Sequence, residues 1–333
     1  MRLFPFFRRA ALAAVLATAF LAGPLGAETL RVYTASQPEL LTLYKKAFEA
    51  RHPDVEITFL RDSASPIVAR LLAERNAPQA DVVHAISVIG LETLAAAGVL
   101  TPYHPQDEKA LDPRFLSKES LWVGINAWGS AICLNEELLE RQNLPVPKHW
   151  TDLTDPVYRG KIAMPHPVSS STGYMILLGW LELFGEEKTW AFVKALHENM
   201  LFYTFSGSRP VSMAAQGEIA VGLSSNAFTK PYRNPKIPLR VVEPEEGIGW
   251  DAEGSAVVAG TKHPEAAKAF LDFCAGEEVA RIAADFSGIA AREDFSTQEG
   301  RKTLERMIPM NFQNAALRKN EILQKWQEVV GER

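Results

Sequence analysis

The sequence predicts an α/β fold of two lobes, with parallel-rich sheets wrapped by helices and a cleft between the lobes. Three observations carry this. The first hundred residues read strand, helix, strand, helix, strand, helix at a pitch that builds a parallel sheet. A second α/β section follows. About 300 residues remain after a removable leader, and single cores stop growing near ~250–300 residues.

The leader is residues 1–27. Arg2, Arg8 and Arg9 form a basic start, 10–21 is an apolar run of small residues, and Gly23-Pro24-Leu25-Gly26-Ala27 breaks the helix before a cleavage site after Ala27. This is the three-part pattern of a secretory signal peptide. The run is too short to span a bilayer, which takes about 20 apolar residues. Removing it changes the formal net charge from -5 to -8. An acidic chain lacks the basic footprint that nucleic acid requires.

The elements follow in order. Residues 30–33 read as a strand, and 38–51 as an amphipathic helix with Leu40, Leu41, Leu43, Tyr44 and Phe48 at helical spacing. Residues 55–59 alternate as a strand. Pro66 starts a helix where its missing N–H costs little, 81–84 is a third strand and 90–97 a third helix. In the second section 122–134 reads as extended and 136–142 as a short helix. A strand at 161–164 precedes strong helices at 172–184 and 186–199. Residues 208–216 are helical, 219–223 and 240–242 are strands, and 255–259 is a strand heading back to the first lobe. Helices at 264–275 and 277–286 and a charged helical stretch from Gly300 complete the chain. Cys133 and Cys274 each lie in an apolar run and read as buried free thiols.

The chemistry concentrates at Pro165-His166-Pro167-Val168-Ser169-Ser170-Ser171-Thr172-Gly173-Tyr174. A strand ends, hydroxyls follow and a helix begins. Free N–H groups at a helix start carry partial positive charge, so Ser170, Ser171, Thr172 and Gly173 form an anion cradle without a lysine. The same residues also serve as a helix cap. Polar turns recur at other strand ends: Ser36 and Gln37, Asp62 and Ser65, Ser87, Ser206, Ser208 and Arg209, and Asn226. Ligands of parallel α/β sheets bind beyond the strands' carboxyl ends. Catalytic arrangements are weak, a metal site is poorly supported, and a Ser-His-Asp triad, recognised by geometry, stays open from sequence alone. Gly207-Ser208 and Gly254-Ser255 lack the nucleophile-elbow pattern, the histidines are scattered, and no Cys or His pair has zinc spacing. The expectation is a binding protein with no cofactor and no enzymatic activity.

Residues 28 to about 290 resemble periplasmic solute-binding proteins of the group that includes ferric-iron, phosphoglycerate and 2-aminoethylphosphonate binders. The stretches that carry the resemblance include Val32-Tyr33-Thr34-Ala35, Pro78-Gln79-Ala80-Asp81-Val82-Val83, Trp150-Thr151-Asp152-Leu153-Thr154-Asp155-Pro156, Tyr203-Thr204-Phe205-Ser206-Gly207-Ser208 and Glu246-Gly247-Ile248-Gly249-Trp250-Asp251. The 2-aminoethylphosphonate branch is the most similar. The resemblance implies a type II-like periplasmic binding fold, with lobe one at 28–126 plus 253–333 and lobe two at 127–252. It also implies a monomer that hands its ligand to an ABC permease. The positions matching the iron ligands of the ferric binders read Gln37, Ile86, Ala227 and Phe228, and Ile, Ala and Phe cannot ligate Fe(III). The pocket therefore suits a phosphonate or a phosphate ester such as phosphoglycerate. Ferric iron, a polyamine and a sensory role stand behind these. The implied phosphonate contacts are Ser171, Thr172, the N–H of Gly173, Ser206 or Ser208, and Arg209. Trp250 and Phe228 are expected as apolar walls. The branch tends to carry an acid where this chain has Ser36-Gln37, which leaves Asp62 and Asp251 as candidates for a ligand amine.

Overall fold

The computed structural model describes residues 27–331; the expected signal peptide, apart from Ala27, lies outside them. The first section runs β1 (Glu28–Thr34), α1 (Pro38–Arg51), β2 (Val55–Arg61), α2 (Ala64–Ala73), β3 (Val82–Ser87), α3 (Val88–Ala96) and a short β4 (Leu100–Thr101). Strand β1 pairs in parallel with β2 and β3. Leu30, Val32, Val82 and Val83 are fully buried, as expected of a parallel sheet covered on both faces.

The second section contains β5 (Val123–Asn135), α4 (Glu136–Arg141), β6 (Ile162–Pro165), α5 (Ser171–Phe184), α6 (Glu186–His197), β7 (Met200–Thr204), α7 (Arg209–Ala215), β8 (Val221–Ser225) and β9 (Leu239–Val242). Strand β10 (Trp250–Val258) then returns, followed by α8 (Pro264–Ala275), α9 (Glu277–Ser287), α10 (Gln298–Arg306), α11 (Phe312–Leu317) and α12 (Lys319–Val330). The strand order is β2-β1-β3-β10-β5-β8-β6-β7. Strand β5 serves both halves. Its first part, to Gly129, pairs antiparallel with β10, and from Ser130 it pairs with β8 and β9. The changeover at Gly129 and Ser130 joins the two α/β layers, the two-lobed arrangement the sequence predicts.

Several elements depart from expectation. Helix α2 starts at Ala64, so Pro66 sits inside its first turn, where a missing N–H is still tolerated. Strand β7 was not foreseen; Leu201 and Phe202 are both exposed, which obscures the alternation of an edge strand. Strand β10 begins five residues earlier than expected, because Asp251 and Glu253 break its apolar pattern. The C-terminal stretch, placed with lobe one from sequence, touches both halves. Helix α11 packs on α3 while α12 packs on α6, and the Tyr174 hydroxyl of α5 donates to the Ala315 carbonyl at 2.6 Å. Cys133 and Cys274 are buried free thiols, and burial pushes both up to about 12.

Candidate functional site

The cradle starts where β6 ends. Ser170 caps α5 by accepting from the Gly173 N–H at 3.4 Å. A Cβ on Gly173 would lie 2.4 Å from the Pro165 carbonyl oxygen, so only glycine lets the helix begin this close to the strand end. Ser171 is exposed, while Thr172 is buried. Gly207 brings in a second loop. Its missing Cβ would stand 2.3 Å from Thr172 Oγ1 and 3.3 Å from Ser170 Oγ, so its bare backbone lies directly on those hydroxyls. The Ser224 hydroxyl donates to the Gly207 carbonyl at 2.5 Å and holds that loop from β8. Ser206 and Ser208 share a hydrogen bond of 3.1 Å in the same loop. Six residues chosen from sequence, Ser170, Ser171, Thr172, Gly173, Ser206 and Ser208, thus come together around one helix start. The first N–H groups of a helix have no partner within it, and hydroxyls beside them complete a neutral surface that accepts anions.

A second group of expected residues lies at the ends of β1 and β3 and the start of β10. Ser36 is 3% exposed and its Oγ has no partner. Its N–H donates to Thr34 Oγ1 at 3.1 Å, and its carbonyl accepts from Arg61 Nε at 2.8 Å. Gln37 is exposed at the start of α1 and makes no capping bond. Asp62 accepts from the adjacent Ser63 N–H and is a turn residue, and Ser65 is exposed in the first turn of α2.

Five residues expected to line the ligand have other partners. Trp250 is 2% exposed; its ring packs against Phe312 and Phe115, and its indole N–H donates to the Ile308 carbonyl at 2.7 Å. It is a core side chain, because aromatic rings fill cores as readily as they wall pockets. Arg209 pairs at 2.9 Å with Glu218, both exposed, and is a surface arginine. Asp251 is buried and accepts from Ser87 Oγ at 2.7 Å and from the N–H groups of Ala252, Val88 and Ile89. It caps α3 from a neighbouring strand, with Ser87 as its partner. Burial pushes its carboxyl up to about 6 despite those bonds. Asn226 pins β5, accepting from the Gly129 N–H and donating to Glu243. Phe228 is 38% exposed and stays available as an apolar surface.

Two features were missed from sequence. Glu253, on β10, lies opposite Ser87 on one side and Asn126 of β5 on the other. Its Oε2 accepts from Asn126 Nδ2 at 3.0 Å, and burial pushes its carboxyl up to about 7, with Asp251 adding to the rise. An acid inside an otherwise apolar strand was the available signal, since such residues are rarely buried without a reason. Lys319, at the start of α12, places its ammonium 5.5 Å from the centre of the Tyr174 ring, one residue beyond the cradle. Loss of surrounding water lowers its pKa, and the Asp251 charge offsets part of this.

A cavity of about 830 Å³ is lined by none of the cradle residues. The 3-10 turn Asn226–Tyr232 lines one wall and α9 and α10 the other, with Lys230, Arg233, Asp285 and Glu299 of mixed sign. Of the positions matching iron ligands, Ile86 is a fully buried core side chain. Among the described residues, no three His, Cys, Asp or Glu side chains group to hold a metal.

The frame is a two-lobed α/β fold with a run of hydroxyls at the start of α5. The chain belongs to the family of bacterial extracellular solute-binding proteins, which its residues 78–312 match. A Haemophilus influenzae protein described as uncharacterized is 32% identical over 266 residues, 76% of this chain and 75% of its own length. A probable ABC transporter periplasmic-binding protein of Sinorhizobium fredii is 28% identical over 291 residues, 85% of this chain and 79% of its own. The periplasmic binding protein AfuA of Actinobacillus pleuropneumoniae, in a structure with fructose-6-phosphate bound, superposes with a TM-score of 0.78. That match has 26% identity and covers 92% of this chain and 99% of AfuA. The chain is a periplasmic substrate-binding protein that takes a small ligand and works with an ABC transporter.

Proposed function

We propose that this protein captures a small organophosphonate, 2-aminoethylphosphonate, between its lobes and delivers it as a monomer to an ABC importer, with no reaction on the ligand. The observation that carries this reading is the cradle itself, in which the Gly207 backbone rests on Thr172 Oγ1 at the start of α5. Phosphonate oxygens would accept from Ser171, Thr172, the leading N–H groups of α5 and Ser206 or Ser208. Lobe closure would then bury them and strengthen each bond by excluding water. Lys319, over the Tyr174 ring, is a second cation of this lobe besides Arg209, which is paired with Glu218. Phe228 offers the apolar surface for the carbon chain.

A phosphate ester such as phosphoglycerate is the second reading, favoured by the phosphate ester bound to AfuA. Ferric iron is disfavoured by Gln37, Ile86, Ala227 and Phe228 at the matching positions. A thermal-shift panel of 2-aminoethylphosphonate, 3-phosphoglycerate, putrescine and ferric citrate tests the reading. A ligand at 100 times its dissociation constant adds about 2.7 kcal/mol to stability. The largest shift is expected with 2-aminoethylphosphonate; a shift with ferric citrate alone contradicts the reading.

A further inference from the structure

The two strands that join the lobes carry a second polar site. Asn126 is 2% exposed, and its Oδ1 has no hydrogen-bond partner. The orientation of that amide is set by the bond from its Nδ2 to Glu253 Oε2 at 3.0 Å, so a buried acceptor stands beside a carboxylate. Glu253 is half-buried, and no lysine, arginine or histidine among the described residues forms an ion pair with it. Ser36, whose Oγ is also without a partner, belongs to the turn at the end of β1.

The register fixes where this pair lies. Glu253 is opposite Ser87, the last residue of β3, and Asn126 is three residues before the point where β5 passes from one sheet to the other. Both therefore sit at the carboxyl edge of the first sheet, the edge at which ligands of such sheets bind. An unpartnered buried acceptor is destabilising, and an unpaired carboxylate removed from part of its water adds to this. One ammonium group brings several donors and a positive charge and relieves both.

We propose that Glu253 and Asn126, side by side on β10 and β5, form the seat for a primary ammonium group of the ligand. The proposal rests on the reading of the ligand as an aminophosphonate, with its phosphonate in the cradle. It supplies the acid that the turn Ser36-Gln37 lacks, and it moves that acid onto the strands about which the lobes close.

The test is calorimetric titration of 2-aminoethylphosphonate, ethylphosphonate and putrescine into the wild-type protein and Glu253→Gln. Wild type is expected to prefer 2-aminoethylphosphonate over ethylphosphonate by roughly ten- to a hundredfold, the worth of a charge-assisted bond. Glu253→Gln is expected to erase that preference, so that 2-aminoethylphosphonate binds no more tightly than ethylphosphonate. Asn126→Leu, which keeps size and removes the acceptor, is expected to reduce the preference several-fold, and ligand-free melting curves confirm that both variants fold. No preference in wild type, or a preference that survives in Glu253→Gln, overturns the amine seat and leaves the phosphonate reading intact. Binding of putrescine but neither phosphonate, lost in Glu253→Gln, overturns the phosphonate reading and supports the seat. Binding of none of the three overturns both.

Discussion

Two regions of the molecule are built from opposite chemistry. On the second sheet, donors gather at one helix start: the hydroxyls of Ser170, Ser171 and Thr172 and the backbone N–H groups beside them. On the joining strands, acceptors gather: Glu253 and Asn126 Oδ1. The donor face is neutral and is assembled mostly within one loop and the first turn of one helix. The acceptor face holds a half-buried carboxyl and a buried amide oxygen and is drawn from strands more than a hundred residues apart in sequence. A cleft made this way discriminates by charge distribution along the ligand, because each end meets its complement and a reversed ligand meets its own sign on both sides.

The largest expected effect comes from filling the space between the two cradle loops. Gly207→Val puts a branched side chain where even a Cβ would stand 2.3 Å from Thr172 Oγ1. Overpacking of this kind costs about 1–3 kcal/mol, and here it also displaces the hydroxyls. Ligand affinity is expected to fall by at least tenfold in titration, with the melting temperature lowered by several degrees.

The acceptor face makes an intermediate prediction through pH. Burial raises Glu253 to about 7 and Asp251 to about 6, above their values of 4.5 and 3.8 in an exposed chain. The folded protein then holds protons that the unfolded chain has released. These two groups make ligand-free stability fall as pH rises from about 4 to about 7. Buried His84, lowered to about 3, works in the opposite direction below pH 6.5, because the unfolded chain takes up its proton first. The difference between wild type and Glu253→Gln isolates the Glu253 share. Melting curves are expected to show Glu253→Gln gaining on wild type between pH 4.5 and 7, by of order 1–3 kcal/mol.

The smallest effect is at Arg209. Its pair with Glu218 is exposed at both ends, and such pairs are worth about 0–1 kcal/mol. Arg209→Ala is expected to leave both affinity and melting temperature nearly unchanged. A tenfold loss of affinity would return Arg209 to the site.

The same contrast explains what the sequence could reveal. The start of α5 was legible because four hydroxyls in a row stand between a strand and a helix, more than one cap uses. The alternating elements of the first section were legible because Leu30, Val32, Leu40 and Phe48 follow strand and helix periods into the core. Glu253 and Asn126 were not, because their meaning lies in the pairing of β10 with β5, which no local pattern records. The two acids also hid the first half of β10. Trp250 was misplaced for a related reason, since its partners Phe312 and Phe115 arrive from distant parts of the chain.

The central claim is that the hydroxyls of α5 hold the ligand's anionic group rather than merely cap the helix. Thr172→Val keeps the side-chain shape and removes one hydroxyl, and Ser171→Ala does the same at the exposed neighbour. Titration of both variants with 2-aminoethylphosphonate, beside their ligand-free melting curves, separates the two roles. A bound phosphonate predicts a loss of roughly 1.5–3 kcal/mol of binding for each hydroxyl, about ten- to a hundredfold in affinity. Ligand-free stability should fall by less than the ~1 kcal/mol of a lost cap, because Ser170 supplies that cap. Unchanged affinity with lowered melting temperatures in both variants would make the hydroxyl run structural and place the ligand elsewhere.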